Sequence, residues 1–536
     1  MRLVGLVAGS AVVLVALGAP APAQPTPDLW GCNPHRTAVS YAPGGRVARS
    51  DPTRITCRYD TGQPAAEPSF AFDSRGRIVH QNWVFQSTPS GEPARVQVRR
   101  SDPTYTHWTD VSPDKGLSHP TTLDPILFRD ERTHRLFSLD FNAVTCSELS
   151  WSDDDGETWT LAPSLSCGGF DGESIGGGPP VTSHPVGYAD LVYYCTGTTL
   201  GSSPPTTTPV CTKSLDGGLT FVPTGGLPFP LTGQNDVFAP YAGSPVVGPD
   251  GTVYVPKRFD GQPQIAISHD EGATWKDVVV AHNGSGGAAT RVAVDASGHL
   301  AYTWVDAAKH RTMLATSFDR GLHWGAPIDL TPPGVTETAL PRVDVSPDGS
   351  LIAVAYLGSR NAPGHAPFFA DCSVFLSECD DGVYAKVAWN GYLSTITRGE
   401  KRVRTITMST DSHPLLVGGC SADGACKADF DFVDVHIRKG EAFAAFVDDC
   451  ALRRPFTPAF NASAGICADG YGEGDILRMR TVPAGTRPPV PSTVPPPPSS
   501  HHGGALAATG GEPGLALLAT FGIVLGAVLR WRSRLR

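Results

Sequence analysis

Two arginines stand at matching places in the chain. Arg291, in Thr290-Arg291-Val292-Ala293-Val294-Asp295, and Arg342, in Pro341-Arg342-Val343-Asp344-Val345-Ser346, each fall seven residues before a glycine, Gly298 and Gly349. Branched aliphatics running into a Gly turn read as a strand entering a hairpin. Equivalent positions in neighbouring hairpins aim two guanidiniums at one place, and the guanidinium fork matches a carboxylate bidentately. The chemistry implied is recognition of an anionic ligand. Ser69 and Ser244 hold the same position before Gly76 and Gly251, and Glu67 precedes Pro68 in the first of these units. Glu67 and Asp344 therefore join the two arginines as candidates for ligand binding. The alternative is structural: arginines that line a wet channel or pair with Asp295 and Asp344.

The elements that must position these residues repeat. Four octets share the pattern Ser-x-Asp-x-Gly-x-Thr/His-Trp/Phe: Ser152 to Trp159, Ser214 to Phe221, Ser268 to Trp275 and Ser317 to Trp324. Their glycines are 62, 54 and 49 residues apart, and a degenerate fifth copy runs from Ser101 to Trp108. Each reads as a hairpin tip. The Asp accepts backbone N–H bonds of the turn, the Gly supplies positive φ and the aromatic fills the packing beneath. Before the third copy, Ser244 to Val247, Thr252 to Phe259 and Gln264 to Ser268 read as three short strands divided by the turns at Gly248 to Gly251 and Asp260-Gly261.

These octets resemble the Asp-boxes, or bacterial neuraminidase repeats, of the sialidase-like β-propellers, over residues 60 to 485. The resemblance implies an all-β fold, a β-propeller of four-stranded antiparallel blades with each octet between the third and fourth strands. It also implies that Asp154, Asp216, Asp270 and Asp319 are structural, and that ligand binds at the channel mouth. Inner-hairpin glycines at 76, 187, 251, 298, 349 and 440, with a further hairpin at Leu123 to Leu139, suggest seven blades, with the family's six as the alternative. A sialidase of this family uses three arginines, a Tyr nucleophile with a Glu partner, and an Asp acid/base. No Phe-Arg-Ile-Pro motif occurs here, and the third arginine, the Tyr–Glu pair and the acid are not assignable.

The two ends read as addresses. Arg2, the apolar run Leu3 to Leu17 and Ala21-Pro22-Ala23 form a signal peptide, residues 1–23. Residues 24–60 are an N-terminal segment, 61–485 the propeller and 486–505 a Pro/Gly/Ser-rich linker. Residues 506–536 carry Leu506-Ala507-Ala508-Thr509-Gly510, an apolar stretch from Leu515 to Leu529, and four arginines. This resembles a sortase sorting signal, implying cleavage between Thr509 and Gly510 and attachment to peptidoglycan; a single-pass transmembrane anchor is the alternative. Export agrees with twelve cysteines and no C-x-x-C pair. Local pairing joins Cys32 with Cys57, Cys146 with Cys167, Cys195 with Cys211, Cys372 with Cys379, Cys420 with Cys426 and Cys450 with Cys467, with metal ligation as the alternative.

Composition narrows the function. Gly (59) and Pro (49) make up about a fifth of 536 residues, against a coiled coil or helical bundle. Lys plus Arg is 42 against 52 Asp plus Glu, a net charge of −10 that argues against nucleic-acid binding. Gly172-Glu173-Ser174-Ile175-Gly176 matches G-x-S-x-G but lacks a strand-to-helix elbow. Asp429, Asp431 and Asp434 could hold Ca²⁺, although the alternation of Asp and Phe more simply reads as an edge strand with one wet face. No cofactor or metal is called for. The expectation is a monomeric, surface-displayed propeller that binds an extracellular glycan or glycoconjugate, with an active exo-α-sialidase or other glycoside hydrolase as the alternative, and sortase and peptidoglycan as partners.

Overall fold

The computed structural model describes residues 30–482, apart from 85–94, 115–121, 143–145, 164, 168–171, 185–186, 201–205, 231–242, 260, 283–289, 307, 363–386, 418–432 and 449–471. The signal peptide, the linker, Thr509, Gly510 and the last six cysteines lie outside the described residues. Among those described there is no helix, and so none long and apolar enough to cross a membrane.

The chain is all-β: antiparallel strands in four-strand groups set around a propeller-like ring. Three groups are separate four-stranded sheets: β11–β14 (Ser174–Gly178, Leu191–Leu200, Thr206–Ser214, Val222–Pro223), β15–β18 (Val246–Val247, Val253–Phe259, Gln262–Ser268, Lys276–Val279) and β19–β22 (Arg291–Val294, Leu300–Asp306, Arg311–Ser317, Ile328–Asp329). A fourth sheet holds β6–β10 (Thr122–Arg129, Leu136–Asn142, Cys146–Ser152, Thr160–Leu161, Ser166–Cys167). All remaining strands join one 13-stranded sheet, so the structure has five sheets where the turn glycines suggest seven, or six, separate blades. Strand β2 (Arg49–Phe72) is the cause, because its 24 residues serve two groups. Its first half pairs with β1 (Gly31–Tyr41) and with β30 (Gly472–Thr481), and its second half with β3 (Ile78–Val84), which continues to β4 (Arg95–Ser101) and β5 (Trp108–Asp110). β1 in turn pairs with β26 (Val403–Thr407), the outer member of β23–β26 (Glu337–Val345, Leu351–Ser359, Ala388–Thr397). β28 (Asp434–Arg438) and β29 (Glu441–Asp448) reach the same sheet through β30. Hydrogen bonding by the N-terminal residues thus welds what glycine spacing alone counts as separate units.

The first strands of the groups form the inner ring. The second half of β2, then β6, β11, β15, β19, β23 and β28, each lie against the next, and β28 returns to β2. At the seam between β11 and β15 glycines allow a close approach. A Cβ on Gly176 would lie 1.9 Å from the Pro245 carbonyl oxygen, and one on Gly178 would lie 2.8 Å from Val247 Cβ. The glycine run after Ser174 is therefore a close-packing device. Ser174 donates its hydroxyl to the Cys195 carbonyl within a strand, which sets aside a nucleophile elbow.

All four octets sit between the third and fourth strands of their groups, at β8/β9, β13/β14, β17/β18 and β21/β22. In the first, the Thr158 N–H and hydroxyl donate to Asp154 at 2.8 and 2.6 Å, and the Gly156 N–H donates to Ser152 Oγ at 2.8 Å. The other three repeat these bonds around Asp216, Asp270 and Asp319. The degenerate copy closes β4/β5 the same way, Asp102 accepting the N–H groups of Thr106 and His107. Asp319 is held down to about 2 by the backbone N–H and imidazole of His323.

The residue before each octet glycine has a second task. Asp155, Gly217, Glu271 and Arg320 all have left-handed φ, between 58° and 74°, and each meets the preceding group. Ser74, in the β2–β3 turn, donates its N–H and hydroxyl to Asp155 at 2.9 and 2.6 Å. Arg135 donates to the Gly217 carbonyl at 2.8 Å. Glu271 accepts from the Thr182 N–H at 3.2 Å and from Lys213 Nζ at 3.1 Å, and Arg320 meets Asp250 at 2.8 Å. The octet therefore ties its own hairpin and also staples it to its neighbour. Removing a hydrogen-bonded, nearly buried carboxylate costs about 2 kcal/mol. Asp155→Ala is expected to lose roughly that much by urea denaturation, and Asp155→Gly, which suits the left-handed φ but makes no staple, a comparable amount; a Gly variant as stable as wild type would show that backbone conformation, not the staple, matters.

Three disulfides form as local pairing implies: Cys32–Cys57, Cys146–Cys167 and Cys195–Cys211. Each joins residues directly opposite on adjacent strands.

Candidate functional site

β19, β23, β28 and the second half of β2 bring one ring of polar side chains together. Arg291 pairs with Thr303, Arg342 with Ala355, Asp434 with Ala445 and Ser69 with Gln81, so all four sit at the corresponding level of their first strands. In β2 and β23, and in β6 as well, an X-Pro bulge precedes this level. Glu67, Asp124 and Leu340, each just before a proline, have φ of 55°, 50° and 56°. The register shifts fall there, between Ala66 and Ser69, Leu123 and Ile126, and Ala339 and Arg342. The bulge re-aims the residues that follow it.

Asp434 is the hub. The Phe70 N–H donates to its Oδ2 at 2.9 Å, Ser69 Oγ donates at 3.3 Å, and the Val435 N–H donates to Oδ1 at 2.9 Å. His436 Nε2 stands 3.5 Å from Asp434 and His436 Nδ1 3.9 Å from Asp344. Asp344 accepts the Ile437 N–H at 2.6 Å and the Val345 N–H at 2.8 Å. Arg342 donates Nε to the Val433 carbonyl at 3.1 Å, and Arg291 donates a terminal nitrogen to the Thr290 carbonyl at 2.9 Å. The His436 ring packs edge-on against Phe70, 4.8 Å between centroids. The side chains of Asp434, Asp344 and His436 keep 18, 26 and 37% exposure within the inner ring, so solvent reaches them.

The charges are strongly coupled. Burial lowers the proton affinity of Arg291, and the charge of Arg342 lowers it further. Burial also lowers that of Arg342, with Asp434 opposing. Burial pushes Asp344 up. For Asp434 burial is outweighed by the charge of and hydrogen bond to His436, then by Arg342, and the carboxyl stays below its ordinary value. Burial likewise disfavours charged His436, yet Asp434, then Asp344 and more weakly Glu131, raise it to about 9. Nearby His80 is pushed by burial to about 3 and stays neutral. His436 is set against Asp434, Asp344 and, more weakly, Glu131, whereas among the described residues Asp434 is the one carboxylate that acts on the two arginines. At the arginine pair the surplus is positive, and among the described residues buried Arg291 Nε has no hydrogen-bond partner.

The ring thus sets Arg291 and Arg342 at one level, as the glycine spacing implies, and adds Asp344 through its bond to β28. Neither arginine takes the pairing that the structural alternative offers. Asp344 turns to β28, while Asp295 accepts the N–H groups of Ser297 and His299 in its own turn. Glu67 lies at the bulge, 3% exposed. Sequence reasoning missed Asp434 and His436 as ring members. The signal was there: β28 ends in a Lys439-Gly440 turn shorter than the others, and aligning on the turn rather than on its glycine puts Asp434 level with the arginines. Asp429 and Asp431 lie outside the described residues. Among those described no group of three or more His, Cys, Asp or Glu is arranged to hold a metal ion.

No protein-family model matches the chain, and no curated protein does. Solved structures similar to it include a Hadza microbial sialidase, at 14% identity over 58% of this chain and 66% of that one, TM-score 0.40. Another is the Penicillium chrysogenum α-L-arabinanase complexed with arabinobiose, 14% identical over 57% of this chain and 93% of that one, TM-score 0.38. A third is the Aleuria aurantia lectin with a fucosylated disaccharide, 8% identical over 64% and 95%, TM-score 0.40. With overlap this loose, what the ring does is argued from its own geometry.

Proposed function

We propose that the protein binds an acidic saccharide, the carboxylate of a sugar acid within a glycan or glycoconjugate, in the axial ring. The observation that carries this is the arginine pair at one level, opposed by Asp434 alone among the described carboxylates, with solvent-reached His436 beside it. A carboxylate entering there replaces like-charge repulsion with charge-assisted hydrogen bonds, while a neutral sugar leaves the repulsion in place.

Binding is preferred to glycoside hydrolysis on one observation. Tyr302, the tyrosine whose charge acts on Arg291, donates its hydroxyl to the Gln264 carbonyl at 2.8 Å, and burial raises its pKa. A nucleophile needs the reverse. The proposal includes display outside the cell, with export by residues 1–23 and retention through residues 506–536 by sortase joining Thr509 to peptidoglycan. That part rests on sequence pattern and on the disulfides, which belong to an oxidising compartment.

Calorimetry of residues 24–485 with a sialic acid glycoside and its neutral reduced analogue tests the reading. Only the acid is expected to bind. Because the raised His436 is protonated below about 9, affinity should hold through neutral pH and fall as pH rises through 9. Equal binding of the neutral analogue, or affinity flat from pH 7 to 10, would overturn it. Turnover of a fluorogenic sialoside would return the hydrolase reading to first place.

A further inference from the structure

A second charged feature lies on the sheet that closes the ring. β1 is sandwiched between β2 and β26, and Ser40 pairs with both Arg49 and Arg404. Directly opposite residues share a face, so these two guanidiniums project from one side about two strand spacings apart, ~10 Å. Arg404 is neutralised, by Asp51 at 2.9 Å and Glu400 at 2.5 Å. Its neighbours are not. Arg46, Arg49, Lys401 and Arg402 are exposed, and among the described residues none of them has a carboxylate within ion-pair distance; Arg402 reaches only Ser40 Oγ, at 3.5 Å. Nearby Arg54 is lowered by burial and by Arg404, with Asp51, Glu400 and Glu441 opposing. A chain of net charge −10 therefore carries one edge of the opposite sign.

We infer that this edge, built on Arg49, Lys401 and Arg402, is a docking surface for a linear acidic polysaccharide, separate from the axial ring. Charge complementarity carries the assignment. A nucleic acid would call in addition for an exposed ring on which its bases stack. The large apolar residue exposed among them is Val47, which offers no ring on which a base could stack.

The test uses the full extracellular chain and three probes at low salt: a hyaluronan fragment, neutral dextran and a single-stranded oligonucleotide. Wild type should bind hyaluronan and not dextran. The triple variant R49S/K401S/R402S should bind at least ~10-fold more weakly, with a shallower fall of affinity as salt is raised. K401S/R402S should lose an intermediate amount, which guards against a folding defect in the triple variant. Hyaluronan is measured with the axial ring saturated by the sialic acid glycoside, and the triple variant should bind that glycoside as wild type does, so failure of the axial-ring reading and failure of this one remain distinguishable. Wild-type affinity in a natively melting triple variant overturns the inference, as does tighter binding of the oligonucleotide than of hyaluronan.

Discussion

Arg342→Ala is expected to weaken binding of a sugar acid about 100-fold while leaving the fold intact. Arg342 is the arginine beside the hub carboxylate, and its guanidinium is the group that Asp434 is set to balance. Truncating one buried partner of a charge-assisted contact costs about 2–5 kcal/mol, and each 1.4 kcal/mol is tenfold in affinity. Part of that cost is internal, because Arg342 also holds the Val433 carbonyl ahead of β28. Arg342→Lys separates the two effects. It keeps the charge but loses the fork, so most affinity should still be lost although the ring keeps its positive surplus. A sugar-acid affinity within twofold of wild type in the alanine variant would end the claim that the ligand sits in this ring. Arg291→Ala is expected to be milder, since removing Arg291 also removes the repulsion between it and Arg342.

The largest stability effect is expected at a residue that makes no side-chain contact. Gly176→Ala places a methyl 1.9 Å from the Pro245 carbonyl oxygen, and that obstacle is backbone. A flexible side chain could swing aside, but a carbonyl on the neighbouring first strand can retreat only if β11 and β15 move apart. Overpacking commonly costs about 1–3 kcal/mol, and more where nothing yields, so a loss of at least ~3 kcal/mol in urea is expected. The change should also reach the ligand site, because widening one seam of a closed ring shifts the others. Gly187→Ala is the control: no atom lies within 4 Å of a Cβ there and its φ is not left-handed, so its stability should stay within about 0.5 kcal/mol of wild type. Similar midpoints for the two variants would mean that the β11–β15 seam is looser than the geometry indicates.

Much of the scaffold could be read without coordinates because its devices are local. Each octet closes bonds within seven residues, so Ser268 to Trp275 reports a hairpin wherever it occurs. The three described disulfides join residues no more than 25 apart, and cross-strand neighbours in a hairpin are necessarily close in sequence. Even the shared level of Arg291 and Arg342 was legible, since it follows from counting back from a turn.

What stayed hidden depended on long-range pairing. Sheet number was misread because β2 is one uninterrupted strand in sequence yet serves two groups, and only its partners β30 and β3 show where the division falls. The staple made by Asp155 was equally unreadable, because Ser74 is 81 residues away. Asp434 and His436 became part of the site only when ring closure set β28 against β23 and β2. Sequence by itself determined the hairpins, their order and an arginine at one level in two of them. Tertiary structure alone decided which charges face each other, because electrostatic energy depends on distance through space and closing the ring brings β28 against β2, far from it in sequence.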